Sequence, residues 1–387
     1  MFFLFTSTNW VYTTEMSTLS KFFYVNIAKP IFFLFPADYV HEFFLIFGRY
    51  IGKVKLFKIL IKKFWSYEDK ILRQKIVGLN FKNPIGLSAG FDYNADLVEI
   101  LPSVGFGFHS IGTLTHEAYG GNQRPMLGRL PKSQSLLVNK GFKNKGINNV
   151  LKNFKTKIHE SPIGVSIGAT NKPYNDFESM LENLVAGFKD AENFKNFDYY
   201  ELNISCPNLS NIQNLKEQIA SPSGLRKALI LLEKLNLTRP VFIKMPLERT
   251  EDEIKELISV AKDFNFINGL IFSNLAKDRK NKIFDQEEIK NAPNGNFSGK
   301  PVEKKSNELI RYAYKNFGDR FIIIGVGGVF TGKDAYKKIL LGASLVQLIT
   351  GMIFLGPEQI GIINKELTEL LKKDGYKNIG DAVGIEA

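Results

Sequence analysis

Apolar and polar positions along this chain follow two different rhythms. From Gly78 onward, short β-rich runs at 84–90, 108–113, 163–169, 199–206, 240–246, 269–274, 321–328 and 345–351 are separated by stretches of helical periodicity. Strands that alternate with helices form βαβ units, whose crossovers produce a parallel sheet. Eight such units over roughly 290 residues predict a (β/α)8 barrel, an α/β fold of the TIM type. Nearly every run closes on small or polar residues: Ser88-Ala89-Gly90, Gly112-Thr113, Gly168-Ala169-Thr170, Asn203 to Cys206, Lys244, Ser273-Asn274, Gly325 to Gly328 and Thr350-Gly351. In a barrel these ends converge on one face, where active sites are built.

Upstream the rhythm is purely helical. Val40, Phe43, Phe44 and Phe47 share one face at helical spacing, and Leu56, Phe57, Leu60, Ile61 and Phe64 share another, beside Lys53, Lys55, Lys58, Lys62 and Lys63. The pattern divides the chain into an N-terminal tail (1–23), an amphipathic helical segment (24–70) and the barrel (71–387). A helical pair of this kind is either a cap packed on the barrel or a basic amphipathic surface for an anionic membrane. Spanning a bilayer takes roughly 18 apolar residues, and Lys21, Lys29, Pro30 and Pro36 interrupt every run here. Lys21 is the first basic residue, which argues against a secretory signal and an Arg-rich transit peptide alike. Met16 offers an alternative start that would leave residues 1–15 without a structural role.

Composition adds a charge argument. The 387 residues are 44% apolar, enough for a large core, and carry a formal charge of +12. That excess suits a phosphorylated cofactor, an acidic substrate or a lipid surface. Nucleic acid is not expected, because the leader's lysines interleave with Phe and Ile and no nucleic-acid motif is present. A single cysteine excludes an internal disulfide, and no Cys/His cluster has metal-ligand spacing.

That cysteine, Cys206, lies where an apolar strand opens into Asn203-Ile204-Ser205-Cys206-Pro207-Asn208, so a thiol stands between two amides. Such a group can move a proton on a bound ligand. Lys244, inside the apolar run Val241 to Pro246, is costly to bury unless its ammonium meets an anion or several acceptors. A cation there would stabilise an anionic reduced flavin; the plainer reading is a head group reaching solvent past the strand end. Glycines at 325, 327, 328 and 351 let backbone amides approach a phosphate after the seventh and eighth strands, although Gly-Val-Gly-Gly alone equally makes a tight turn. His109 reads as a packed strand residue, and His116 and His159 stand alone.

Taken together, Gly86 to Asp92, Ile111-Gly112-Thr113, Asn122-Gln123-Arg124-Pro125 with Arg129-Leu130-Pro131, Asn203 to Asn208, Ile243 to Pro246, Phe297 to Pro301, Ile324 to Gly328 and Gly342 to Gln347 resemble dihydroorotate dehydrogenase over about residues 24–365. The resemblance implies FMN at the barrel mouth, with hydride passing from C6 of dihydroorotate to the flavin while a side-chain base removes the C5 proton. By position it implies flavin contacts at Ala89, Gly90, Thr113, Asn203, Lys244, Ser273, Gly299, Gly327, Gly328, Thr350 and Gly351. It implies substrate contacts at Asn203, Asn208, Asn274, Asn139, Gly141 and Phe142, with Cys206 as the base. The leader resembles that of the membrane-associated, quinone-using class, in which it forms a tunnel to the flavin; His41 and Arg129 match polar groups near the quinone. The implied location is peripheral, on the cytoplasmic face of the cell membrane, with the cytoplasm as the alternative.

Several residues depart from the class. Its base is serine, whereas Cys206 matches the soluble class; a free thiol of pKa near 8.5 is the better base at neutral pH. Tyr93 replaces an expected lysine, Ser166 a flavin-contacting asparagine, Val138 a substrate asparagine, Leu275 a substrate threonine and Ile349 a tyrosine. A one-residue shift of the loop would bring Asn139 into the role vacated at Val138. Apolar residues at 138 and 275 would also suit a ligand without a carboxylate, so a flavoenzyme acting on another dihydropyrimidine, a free base or a uridine in RNA, stays open. So does a flavin-binding interaction module without turnover.

Overall fold

The protein is described by a computed structural model, in which residues 17–154, 160–209, 211, 215, 218–272 and 274–387 are placed. Eight parallel strands form a closed barrel: β1 (Ile85–Leu87), β2 (Phe108–Leu114), β3 (Ile163–Ile167), β4 (Tyr199–Asn203), β5 (Val241–Lys244), β6 (Ile267–Phe272), β7 (Ile322–Val326) and β8 (Leu345–Leu348). Each pairs with the strand before and after it in sequence, and β8 closes onto β1. This is the (β/α)8 barrel that the sequence rhythm predicts, and each of the eight β-rich runs overlaps one strand.

Side chains alternate across a strand, so every second residue enters the barrel and the interior is filled in layers. The floor is aromatic. Phe108, Tyr199 and Phe242 pack there with Ile271, Ile324 and Leu345, closed from below by Ile76 and Phe81 of the hairpin Gln74–Ile76 and Leu79–Phe81. Three large rings fit because each lies beside a glycine on the adjacent strand: Gly86 pairs with Phe108, Gly164 with Tyr199 and Gly269 with Phe242. A Cβ at any of the three would overlap its ring partner.

Two residues further along, the layer is polar. Ser110 donates to Glu201, while Gln347 Nε2 donates to Glu201 Oε1 at 2.9 Å and to Ser110 Oγ at 3.0 Å. The next layer up carries Ser88, Asn203 and Lys244, which form the bottom of the barrel mouth. Strand periodicity therefore takes the chain from a sealed floor to a chemical surface in three steps.

Outer helices follow the strands: α3 (Leu101–Val104), α4 (Ile147–Asn153), α5 (Phe177–Glu192), α6 (Pro222–Glu233), α7 (Glu251–Lys262), α8 (Glu303–Phe317), α9 (Gly332–Leu340) and α10 (Gln359–Lys373), after leader helices α1 (Ala37–Gly52) and α2 (Lys55–Trp65). Helix α7 begins at Thr250, whose side chain accepts from Glu253 N while the Glu253 carboxylate accepts from Thr250 N. That reciprocal cap satisfies two backbone donors which the helix itself leaves open. Helix α8 buries Ser306, Leu309, Ile310 and Ala313, a stripe at helical spacing, and its Leu and Ile each contribute about 1.5–3 kcal/mol.

The leader packs differently from the sequence pattern. In α1 the buried stripe is Asp38, His41, Leu45, Gly48 and Gly52, whereas Phe43 and Phe47 are exposed. Small size favours this, because Gly48 and Gly52 let the helix approach Leu97, Glu99 and Ile100 so closely that a Cβ at either would crowd them. Asp38 Oδ2 accepts from Met126 N at 3.0 Å and fixes the start of α1 to the segment entering a small antiparallel sheet. That sheet, Leu127–Leu130, Ser135–Val138 and Asn296–Phe297, stands beside the barrel mouth.

Candidate active site

A single cavity of about 330 Å³ extends from the leader to the barrel mouth. Its leader end is lined by Phe32, Phe33, Val40, Phe44 and Phe47, and its barrel end by Asn203, Cys206, Asn208, Lys244 and Asn274. A second pocket adjoins the barrel end and shares Ala89, Lys244, Asn274 and Ser298 with it; Gly299, Gly327, Gly328, Thr350 and Gly351 line its far side. Residues from seven strand ends and from the leader thus meet in one continuous space.

The amides at the barrel end are held by a connected network. Asn203 Nδ2 donates to Thr113 Oγ1 at 2.9 Å, and its Oδ1 accepts from Ser205 N at 3.2 Å and Ser205 Oγ at 3.1 Å. Asn274 Nδ2 donates to Ser205 Oγ at 2.7 Å, and Thr113 Oγ1 lies 2.9 Å from Ser166 Oγ. Asn208 Oδ1 accepts from Asn296, whose strand pairs with Val138. Such fixed amides present donors and acceptors to a flat ligand without further ordering cost.

Lys244 is 4% exposed, which rules out a head group reaching solvent. Its Nζ donates to Ser88 Oγ at 3.1 Å, the one hydrogen-bond partner it has among the described residues. Burial lowers its pKa from the ordinary lysine value, while Glu201 below and Cys206 beside it act in the opposite direction. The cation therefore enters the cavity with donors to spare. Cys206 is half-buried on the cavity wall, and burial pushes its thiol up to about 11, against the pull of the Asn208 backbone N–H and the Lys244 and Lys277 ammonium groups. Thiolate is accordingly scarcer here than for a free thiol, contrary to the expectation from an unperturbed pKa.

Residues 71–371 match the family model described as dihydroorotate dehydrogenase. The chain belongs to the dihydroorotate dehydrogenase family. It is 33% identical over 346 residues to a dihydroorotate dehydrogenase (quinone) of Trichodesmium erythraeum, covering 86% of this chain and 88% of that protein. The corresponding Nostoc punctiforme protein is 35% identical over 335 residues, with 84% and 87% covered. A crystal structure of DHODH from Eimeria tenella in complex with ferulenol superposes with a TM-score of 0.72 at 26% identity, covering 86% of this chain and 94% of that one.

Within this family frame the individual residues sort clearly. Ala89, Gly90, Thr113, Asn203, Lys244, Asn208, Asn274, Gly141, Phe142, His41 and Arg129 line the main cavity with Cys206, and the five residues from Gly299 to Gly351 line the adjoining pocket. Ser273 lies outside the described residues. Asn139 does not line the cavity: its Oδ1 accepts from Asn122 Nδ2 at 2.9 Å and its N–H donates to Met126 O, so Val138 keeps the wall position. Gly325 also departs from expectation. It faces Ile310 and Lys338 of the outer helices, where a Cβ would crowd both, and serves strand–helix packing rather than an anion.

The family is flavin-dependent, and this chain's residues fit such a group. Lys244 offers unused donors to an anionic ring edge, and at Gly90, with φ at +114°, a Cβ would meet only Ile349 Cδ1, at 3.9 Å, leaving open space beside the backbone. Of the departures from the class pattern, Tyr93, Val138, Leu275 and Ile349 border the same cavity, whereas Ser166 is buried behind Thr113 and does not line it. The Tyr93 ring lies beneath the ammonium of Lys140, 4.4 Å from its centroid. Two residues at this site escape a reading of sequence runs. Glu201 enters the barrel because it alternates with Tyr199 and Asn203, a signal present in the period of β4; Lys140 sits in a loop whose course only the small sheet determines.

Proposed function

We infer that this chain oxidises dihydroorotate to orotate in pyrimidine nucleotide synthesis, with FMN at the barrel mouth, and passes the electrons to a membrane quinone. The observation that carries this reading is the single cavity joining an apolar leader end to a polar barrel end. An apolar electron acceptor and a polar pyrimidine require opposite linings, and each finds one here. Relatives named dihydroorotate dehydrogenase (quinone) support the same pair.

FMN, when bound, supplies the two-electron chemistry by taking hydride from C6 of the substrate and releasing electrons onward. Cys206 Sγ, as thiolate, takes the C5 proton. Asn203, Asn208 and Asn274 would orient the amide and carboxylate edges of the pyrimidine, and Lys244 would offer its cation to the flavin's ring. Gly299, Gly327, Gly328, Thr350 and Gly351 would hold the phosphate, and Arg129 and the ring of His41, whose two nitrogens are already engaged, would border the quinone at the leader end. Among the described residues, no helix is long and apolar enough to cross a membrane. The exposed apolar leader supports peripheral membrane association.

Anaerobic mixing with dihydroorotate, followed by flavin absorbance, tests this directly. Rapid bleaching is the expected result. Bleaching by neutral dihydropyrimidines alone would overturn the substrate assignment, and colour that no dihydropyrimidine bleaches would overturn the enzymatic one.

A further inference from the structure

Lys140 is a lysine of the cavity wall whose direct partners are neutral. Its Nζ lies 2.8 Å from His41 Nδ1, and His41 Nε2 lies 2.9 Å from the carbonyl oxygen of Phe91. A carbonyl only accepts, so Nε2 carries the imidazole proton and Nδ1 presents a lone pair to the ammonium. His41 is therefore neutral, and burial together with the Lys140 and Lys143 charges holds its pKa well below the ordinary value. Beneath the ammonium lies the face of Tyr93.

Carboxylates nearby are engaged elsewhere. Glu42 Oε1 accepts from Lys143 at 2.8 Å and Arg124 at 3.1 Å, and Asp38 Oδ2 accepts from Met126 N. Among the described residues Lys140 has no ion pair, and a lysine carries three donors of which His41 takes one. Burial and the Lys143 charge hold the Lys140 amine down to about 7, against the pull of Asp38 and Glu42, so an anion that enters the cavity stabilises its charged form.

The backbone places this lysine on the cavity wall between Val138 and Gly141. Lys140 O accepts from Asn122 N at 3.3 Å, and Asn122 Nδ2 donates to Asn208 O at 3.0 Å, which ties the loop to the Cys206 turn. Val138 and Leu275, the apolar walls of the same cavity, offer a carboxylate nothing. We propose that Lys140, presented by neutral His41, is the cation that receives the carboxylate of the bound pyrimidine acid and gives this site its preference for an acidic over a neutral pyrimidine. The proposal rests on the dihydroorotate reading above.

Isothermal titration of the holoprotein with orotate and with its methyl ester, the same ring without the charge, provides the test. Wild type binds orotate the more tightly. Lys140→Gln, which keeps a donor for His41 Nδ1 but no charge, weakens orotate at least about tenfold and leaves the ester within about twofold, the scale of one charge-assisted hydrogen bond. Lys140→Arg keeps most of the preference, and Lys145→Gln, an exposed lysine off the cavity wall, leaves it intact; Lys140→Met replaces the glutamine variant should that fail to fold. Orotate affinity unchanged in the uncharged variants, or both ligands weakened alike, would overturn the role of Lys140 alone. Wild-type protein that binds no orotate would instead defeat the substrate reading.

Discussion

At a pKa of about 11 the Cys206 thiol is almost wholly protonated at neutral pH, which makes its charge state the variable that controls proton removal. The sign follows from that position. Below the thiol pKa, the thiolate fraction rises about tenfold for each pH unit, so flavin reduction at saturating dihydroorotate should accelerate with pH through the neutral and mildly alkaline range. Cys206→Ala should keep its flavin, lose the pH rise and slow reduction by at least about a hundredfold, the usual scale for a missing general base. Stopped-flow flavin absorbance reads both, and a flat wild-type profile would remove the thiol from the proton step. Cys206, Lys244, Asn203 and Asn274 can be read from sequence because each ends a β-rich run, where barrel geometry puts chemistry. Lys140 cannot, since its position depends on a long-range contact with His41, 99 residues away.

At the scale of elements, the barrel strands and the leader helices illustrate opposite degrees of legibility. Strand periodicity fixes which side chains face inward, so the eight-strand order follows from the alternation of runs. The floor does not, because the fit of Phe108, Tyr199 and Phe242 against Gly86, Gly164 and Gly269 is a property of register between neighbouring strands. In α1 the apolar spacing of Phe43 and Phe47 points to a buried face, yet Gly48 and Gly52 favour the observed contact by permitting close approach. These glycines give a sharp prediction. Gly164→Ala sets a methyl group into the Tyr199 ring, and overpacking of that kind costs about 1–3 kcal/mol. Denaturant unfolding should show the loss, and Gly164→Ala combined with Tyr199→Leu should recover part of it; an unchanged midpoint in the single variant would mean the floor is looser than its register implies.

On the scale of the whole molecule, exposed large apolar side chains among the described residues concentrate in the leader. Among the described residues, all but three of the exposed large apolar side chains, Ile230, Ile283 and Ile385, lie between Leu19 and Leu60. An apolar surface of that extent suits an interaction site, and the same segment supplies the apolar end of the cavity lining, which fits a lipid phase better than water. Charge reinforces the orientation less than composition suggests. Lys58 is paired with Glu99 and Lys62 with Glu68, each at 3.2 Å, leaving Lys53, Lys55 and Lys63 of that lysine group to face anionic headgroups. Binding to anionic vesicles should therefore be mainly apolar and only partly suppressed by salt. The triple variant Ile46→Glu, Leu56→Glu, Ile59→Glu removes exposed side chains that do not line the cavity. Each buried aliphatic is worth about 1.5–3 kcal/mol, so cosedimentation with vesicles should fall by far more than tenfold while reduction of the flavin by dihydroorotate stays within about twofold. Vesicle binding that survives the triple variant, or that vanishes in salt alone, would place the membrane contact elsewhere on the molecule and separate it from the apolar end of the cavity.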